Sequence, residues 1–158
     1  MVDFVSPEKR GNIMRGSRSK DTKPELLVRR LLHSMGYRFR LHLKDLPGKP
    51  DIALRSRKKA IFVHGCFWHQ HEDPSCRVAR KPVSNTGYWN SKFSANADRD
   101  ARNLKLLKDA GWEVLIMWEC DYEPARLRAR LSNFLGPTSL RAGRSKGRSG
   151  ERTILGPH

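Results

Sequence analysis

Apolar residues recur three and four positions apart at Leu27, Val28, Leu31, Leu32 and Met35, the period of one face of a helix. In front of them, Asp21-Thr22-Lys23-Pro24-Glu25 supplies a start signal with proline and an acidic residue in the first turn, and Gly36 stands where a helix closes. The period then changes. Tyr37-Arg38-Phe39-Arg40-Leu41-His42 alternates apolar and polar residues, which predicts a half-buried strand. Leu46-Pro47-Gly48-Lys49-Pro50 is a turn, Asp51 to Leu54 a second strand, Arg55 to Lys59 a charged hairpin tip and Ala60 to Val63 a third, more buried strand. A loop rich in His, Cys and Trp runs from His64 to about Trp89. Asn90 to Ala110 reads as helix, with Leu104, Leu107 and Ala110 on one face and Gly111 as its stop. The unbroken apolar run Val114 to Trp118 predicts a central strand. Glu123 to Leu135 predicts a last helix, closed by Gly136-Pro137, and Ser6-Pro7-Glu8 opens a short first one that ends at Gly16.

The order α, α, β, β, β, α, β, α gives a three-stranded meander, a helical crossover and one further strand, hence a mixed α/β architecture. At 158 residues, one domain is expected, over residues 1–136, large enough for a hydrophobic core without disulfides. From Pro137 to His158, Gly, Ser and Arg dominate and no apolar period survives; this predicts a flexible basic tail. The net charge of +16 points to a polyanionic partner, nucleic acid first. No run of 18 apolar residues is present and the first ten residues lack the apolar core of a signal peptide. The expected setting is cytoplasmic and associated with the nucleoid, with no membrane partner. Three cysteines in such a chain leave metal, catalysis or plain burial.

Several residues carry candidate chemistry. Asp51 follows a tight Pro/Gly turn at a strand start, where a carboxylate can meet a divalent cation and a phosphate; Mg²⁺ favours such hard oxygen ligands. Taken singly, Asp51 also reads as a turn residue capping its own backbone. Glu25 in a first helical turn complements the helix dipole, and Asp100 reads equally as a solvated helix face. His64-Gly65-Cys66-Phe67-Trp68-His69-Gln70-His71 is denser in chemistry than a surface loop needs: three histidines and two adjacent aromatics in eight residues. His69 is a candidate general base if Asp100 orients its other ring nitrogen. Cys66, His71, Cys76 and Cys120 could form a closed tetrahedral zinc site, structural because no position is left for water; buried free thiols are the alternative. Phe67, Trp68 and Trp89, beside Arg77, Arg80, Lys81 and Lys92, suit insertion into a duplex or stacking on bases, or burial in a core.

Together Pro50-Asp51, Val63-His64-Gly65-Cys66-Phe67-Trp68-His69-Gln70-His71, Asp98-Arg99-Asp100 and Gly111-Trp112 through Trp118-Glu119-Cys120 resemble the very short patch repair (Vsr) endonucleases, from about Ser6 to Leu135. The resemblance implies a restriction-endonuclease-like fold, a central mixed sheet flanked by helices with a structural zinc site. It implies that Asp51 and the Val63 carbonyl hold Mg²⁺, that His69 supported by Asp100 is the general base, that Glu25 holds a metal-bound water and that His64 lies close to the scissile phosphate. It assigns Cys66, His71, Cys76 and Cys120 to Zn²⁺. It makes Phe67, Trp68 and Trp89 a wedge entering the duplex; Met14, Arg15, Asn96 and Arg99 complete the expected DNA-binding set. The implied activity is nicking of one strand of double-stranded DNA 5′ to the mismatched thymine of a T:G pair, by a monomer. Two positions depart from the family's pattern: Val63 stands where Thr is frequent, and Glu72-Asp73-Pro74-Ser75 lengthens the gap before Cys76. A sequence-specific restriction-type endonuclease on the same scaffold and a non-catalytic zinc-stabilised DNA-binding protein remain open at this point.

Overall fold

A computed structural model describes residues 21–138. Met14, Arg15, the short helix read between Ser6 and Gly16, and all but the first two residues of the basic tail lie outside the described residues. Helix α1 spans Lys23–Ser34: the Thr22 hydroxyl accepts from the Glu25 N–H, and Pro24 occupies the first turn. Its far end closes on Gly36, whose φ of 87° the missing Cβ permits. There the Tyr37 N–H reaches back to the Leu32 carbonyl at 3.0 Å.

Four strands follow: β1 Arg40–Leu41, β2 Ile52–Leu54, β3 Lys59–His64 and β4 Glu113–Trp118. They lie in the order β1-β2-β3-β4, the first three antiparallel and β4 parallel to β3. A parallel return needs a crossover, and helix α3, Thr86–Asp109, supplies it. The meander and crossover are as the hydrophobic pattern predicts. The hairpin tip is a 3-10 turn at Arg55–Arg57 followed by Lys58 in the left-handed region. Helix α4, Pro124–Leu135, closes the described chain.

The sheet separates two apolar layers. Ile52, Leu54, Ile61 and Met117 pack against Val28, Leu31 and Leu32 of α1 and Leu127, Leu131 and Leu135 of α4. On the other face Ala53 and Ala60, paired across β2 and β3, meet Leu107 of α3 and Trp112. Small residues at that crossing leave room for the long helix. The end of α4 is tied back to the sheet: Arg57 donates to the carbonyls of Leu135 and Pro137 at 2.7 Å each, Lys59 to that of Phe134 and the Tyr37 hydroxyl to that of Gly136. The donors to Phe134, Leu135 and Gly136 satisfy helix-end carbonyls that have no partner inside the helix.

Three expectations need correction. β4 is an edge strand of the four, not a central one. Its apolar run arises because Leu115 and Met117 face one layer and Val114 the other, and Arg130 of α4 donates to its Ile116 carbonyl. The strand read from Tyr37 to His42 shrinks to two residues: Tyr37 is consumed in closing α1, and His42 turns out of the strand with φ 48°. The segment from His64 to Trp89 is not one loop, since Cys66–His69 forms helix α2 and α3 already begins at Thr86. Among the described residues no helix is long and apolar enough to cross a membrane.

Candidate active site and metal centre

Asp51 precedes β2 and His64 ends β3, so the hairpin brings both to the same end of the sheet. There a cleft of about 1680 Å³ opens between α1, the sheet end and α3. Its walls include Glu25, His42, Asp51, Val63, His64, His69 and Asp100. The five residues expected to carry catalysis therefore share one cavity, although α1 and α3 contribute from opposite sides of it.

The Val63 N–H donates to Asp51 Oδ2 at 2.8 Å. Burial nevertheless pushes the Asp51 carboxyl up to about 6, partly offset by that hydrogen bond, with Glu25 nearby adding to the rise. A carboxylate so placed gains from a bound cation, and hard oxygen donors match Mg²⁺. The sign for stability is set by the unfolded chain, where the group titrates near 3.8. Above that value the unfolded state releases its proton while the folded state still holds it. A penalty therefore grows as pH rises from about 4 to 6 and stays constant above, reaching up to about 3 kcal/mol. Without added divalent cation, Asp51→Asn is expected to be more stable than the wild type at pH 7 and equal to it below pH 4, as read by urea unfolding at both pH values.

Glu25 is 1% exposed although it sits in a first helical turn. Its Oε2 accepts from the Asp21 N–H at 2.8 Å, and its Oε1 receives Arg29 and lies 2.9 Å from His42 Nε2. Burial with three partners goes beyond complementing a helix dipole.

His64 and His69 stack with ring centroids 3.8 Å apart and planes 7° from parallel. Burial, with the His69 charge adding, lowers His64 to about 4, so at neutral pH it is an uncharged ring. His69 Nδ1 meets Asp100 Oδ2 at 2.5 Å. Burial alone would raise the Asp100 carboxyl, but the hydrogen bond and charge of His69, with His64 and Arg99, bring it below its ordinary value. An ionised Asp100 fixes the proton on Nδ1 and leaves Nε2 as the basic nitrogen.

Behind α2 lies the second cluster. The ligand atoms of Cys66, His71, Cys76 and Cys120 all fall within 4.8 Å of one another. Ligands at about 2.3 Å in a tetrahedron stand roughly 3.8 Å apart, so the soft donor set fits zinc. Burial pushes the Cys66 thiol up to about 12, while His71 brings Cys76 down to about 7 against the opposing effect of burial. Trp118 stacks on the His71 ring at 4.2 Å. Glu119, the residue directly after β4, accepts the Cys66 N–H at 2.9 Å and so caps α2. Among the described residues, two further groups could hold an ion by distance, His64-His69-Asp100 and Asp21-Glu25-His42. The first is joined by its own hydrogen bond, and Arg29 already places its positive charge in the second.

The aromatics form one cluster on α2 and α3. Phe67 packs edge-on against Trp68, Trp89 and Phe93, each about 5.2 to 5.3 Å away. Phe67 and Trp68 are half-buried, whereas Trp89 sits on α3 at 6% exposure rather than in a polar loop. Asn96 donates to the Trp68 carbonyl at 3.0 Å and accepts from Arg99 at 3.2 Å, so two of the expected DNA contacts also brace α2. Sequence reading misses Arg29, His42 and Glu119. Arg29 looks like an ordinary helix-face charge and His42 like the end of an alternating strand, while Glu119 stands between Trp118 and Cys120 with no sign of the helix it caps.

A profile of the family described as DNA mismatch endonuclease Vsr matches residues 2–75. A type II nicking enzyme of Xanthomonas oryzae pv. oryzae is 50% identical over 139 residues, which is 87% of this chain and all of that protein. One from Neisseria meningitidis serogroup A is 40% identical over 136 residues, 85% of this chain and 95% of its own length. The DNA mismatch endonuclease Vsr of Escherichia coli is 38% identical over 120 residues, 76% of this chain and 75% of that protein.

Proposed function

The chain belongs to the Vsr family and is a DNA endonuclease, and from that premise we propose that it nicks one strand of duplex DNA on the 5′ side of the mismatched thymine of a T:G pair, with Mg²⁺ as cofactor. The observation that carries this reading is the cleft itself. It sets a cation-seeking carboxylate, Asp51, beside a His69–Asp100 pair built to accept a proton.

Asp51 and the Val63 carbonyl would hold Mg²⁺, and Glu25 would hold a water near it. The ion, when bound, supplies charge stabilisation at the attacked phosphate and the departing oxygen. His69 takes the proton of the attacking water at Nε2, and Asp100 stabilises the resulting imidazolium. His64, neutral and stacked on His69, leaves that ring free to charge and stands ready to hydrogen-bond the phosphate. Cys66, His71, Cys76 and Cys120 would hold Zn²⁺. That ion would join the turn after α2 to the end of β4, and so fix His69 two residues from a ligand.

For selectivity, Phe67, Trp68 and Trp89 would wedge into the duplex. A T:G step costs less to unstack than a paired one, so deformability favours the mismatch. Met14, Arg15, Asn96 and Arg99 would contact the DNA, and the basic surface contributes the salt-dependent, sequence-blind part of binding.

The test uses labelled duplexes that differ only in one T:G mismatch, incubated with protein and Mg²⁺, with Asp51→Asn as control. A single nick beside the thymine, present only in the mismatched duplex and absent with the variant, is the expected result. Cleavage of both strands in the fully paired duplex would replace this reading with a restriction-type nuclease. No cleavage across varied flanking sequences would replace it with a DNA-binding module.

A further inference from the structure

We infer that His42 is a positioning residue, one imidazole that sets Glu25 and Asp51 relative to each other across the cleft. The two carboxylates come from different parts of the chain, Glu25 from α1 and Asp51 from the entry to β2. Their backbones share no hydrogen bond that would fix their separation. His42 stands between them. Its Nε2 lies 2.9 Å from Glu25 Oε1, and its Nδ1 lies 3.9 Å from Asp51 Oδ1. Whichever ring nitrogen carries the proton, one edge of the ring faces the α1 carboxylate and the other faces Asp51.

The placement of the ring is built into the fold. The His42 N–H donates to the Asp51 carbonyl at 3.3 Å, so the ring is referenced to the backbone of the residue it faces. A φ of 48°, a conformation unusual for a residue with a Cβ, turns His42 out of β1 immediately after Leu41. In a continued strand the side chain would instead project from one face of the sheet. Arg29, whose Nη2 lies 2.9 Å from His42 Nε2 and contacts Glu25 Oε1, braces the ring from the α1 side. Asp51 has its Oδ2 fixed by Val63, so the oxygen that His42 faces is the one left to turn toward a cation.

This inference rests on the reading that Asp51 holds a divalent cation. Residues that orient a metal ligand change metal affinity 10- to 100-fold when removed. The probe is Mn²⁺ binding, followed by electron paramagnetic resonance on the zinc-loaded full chain, for wild type, H42A, H42Q and Asp51→Asn. The expected result is Asp51-dependent Mn²⁺ binding that is about tenfold weaker in H42A. In H42Q it is weakened less, because one amide can reach only one of the two carboxylates. Turnover on a cleavable duplex should lose kcat in both variants at unchanged KM. Equal Mn²⁺ affinity in wild type and both variants overturns the role of His42 while leaving the cation site intact. If the wild type shows no Asp51-dependent Mn²⁺ binding, the cation reading and this inference fall together. If H42A does not fold, H42Q alone decides the outcome.

Discussion

Replacing His69 with alanine is expected to slow strand cleavage by about 10²- to 10⁴-fold, the range that a positioned general base contributes, while DNA binding persists. The loss follows from the 2.5 Å contact with Asp100: the pair holds a basic nitrogen in a cleft that also contains Asp51. Asp100→Asn should lose a comparable share, because an amide that offers its N–H to Nδ1 stabilises the wrong tautomer. The two losses should not add in the double variant, since both remove one functional unit. Single-turnover cleavage with saturating protein measures the chemical step, and gel shift at low salt measures binding. A His69→Ala protein that cleaves at the wild-type rate removes the general-base assignment. One that binds DNA poorly as well places His69 in recognition rather than chemistry.

The second large effect concerns the cysteines. Native mass spectrometry should find one zinc per chain, and Cys120→Ser should release it. Zinc in a structural site contributes on the order of 10 kcal/mol of apparent binding energy, comparable to the whole stability of a domain. Its loss should therefore lower the unfolding midpoint by at least about 10 °C and expose the turn after His69 to protease. Among the described residues between Gln70 and Ser84 there is neither helix nor strand, so that stretch has little packing with which to resist the loss. Chelation of the wild type should reproduce the variant's unfolding. A protein that folds without metal and melts with the zinc-loaded midpoint would leave the four side chains as a cluster of thiols beside an imidazole.

Much of the fold is legible in local signals. Helix α1 carries a capping threonine, a first-turn proline and a closing glycine, and the structure uses all three. The meander and crossover follow from two turn signals and one long helical pattern. What escapes sequence reading depends on tertiary contact. Helix α2 is four residues long, too short for any period, and its capping group is Glu119, fifty-three residues away. Helix α3 starts behind Asn85, which sits in the left-handed region and makes no side-chain cap, so the usual start signal is missing. β4 has the composition of a central strand because both its faces are covered, and coverage of faces says nothing about neighbours along the hydrogen-bonding direction. The site divides in the same way. Asp51, His64, His69 and the thiol set stand out by residue type and density. His42 does not, because its significance lies in which two carboxylates the fold brings to either side of one ring.

Helix α3 is a single stiff rod. From Tyr88 to Asp109 it contains neither glycine nor proline, so it offers no hinge. Trp89 and Asp100 stand eleven residues apart on it, roughly 16 Å at 1.5 Å per residue. The turn that carries Trp89 into the aromatic cluster and the turn that carries Asp100, the partner of the general base, are therefore rigidly joined. Under the proposed function this makes fidelity a matter of leverage. A duplex whose misfit at Phe67 and Trp89 pushes α3 aside would carry Asp100 off His69, so poor fit at the aromatic cluster is read as lost chemistry eleven residues along the rod.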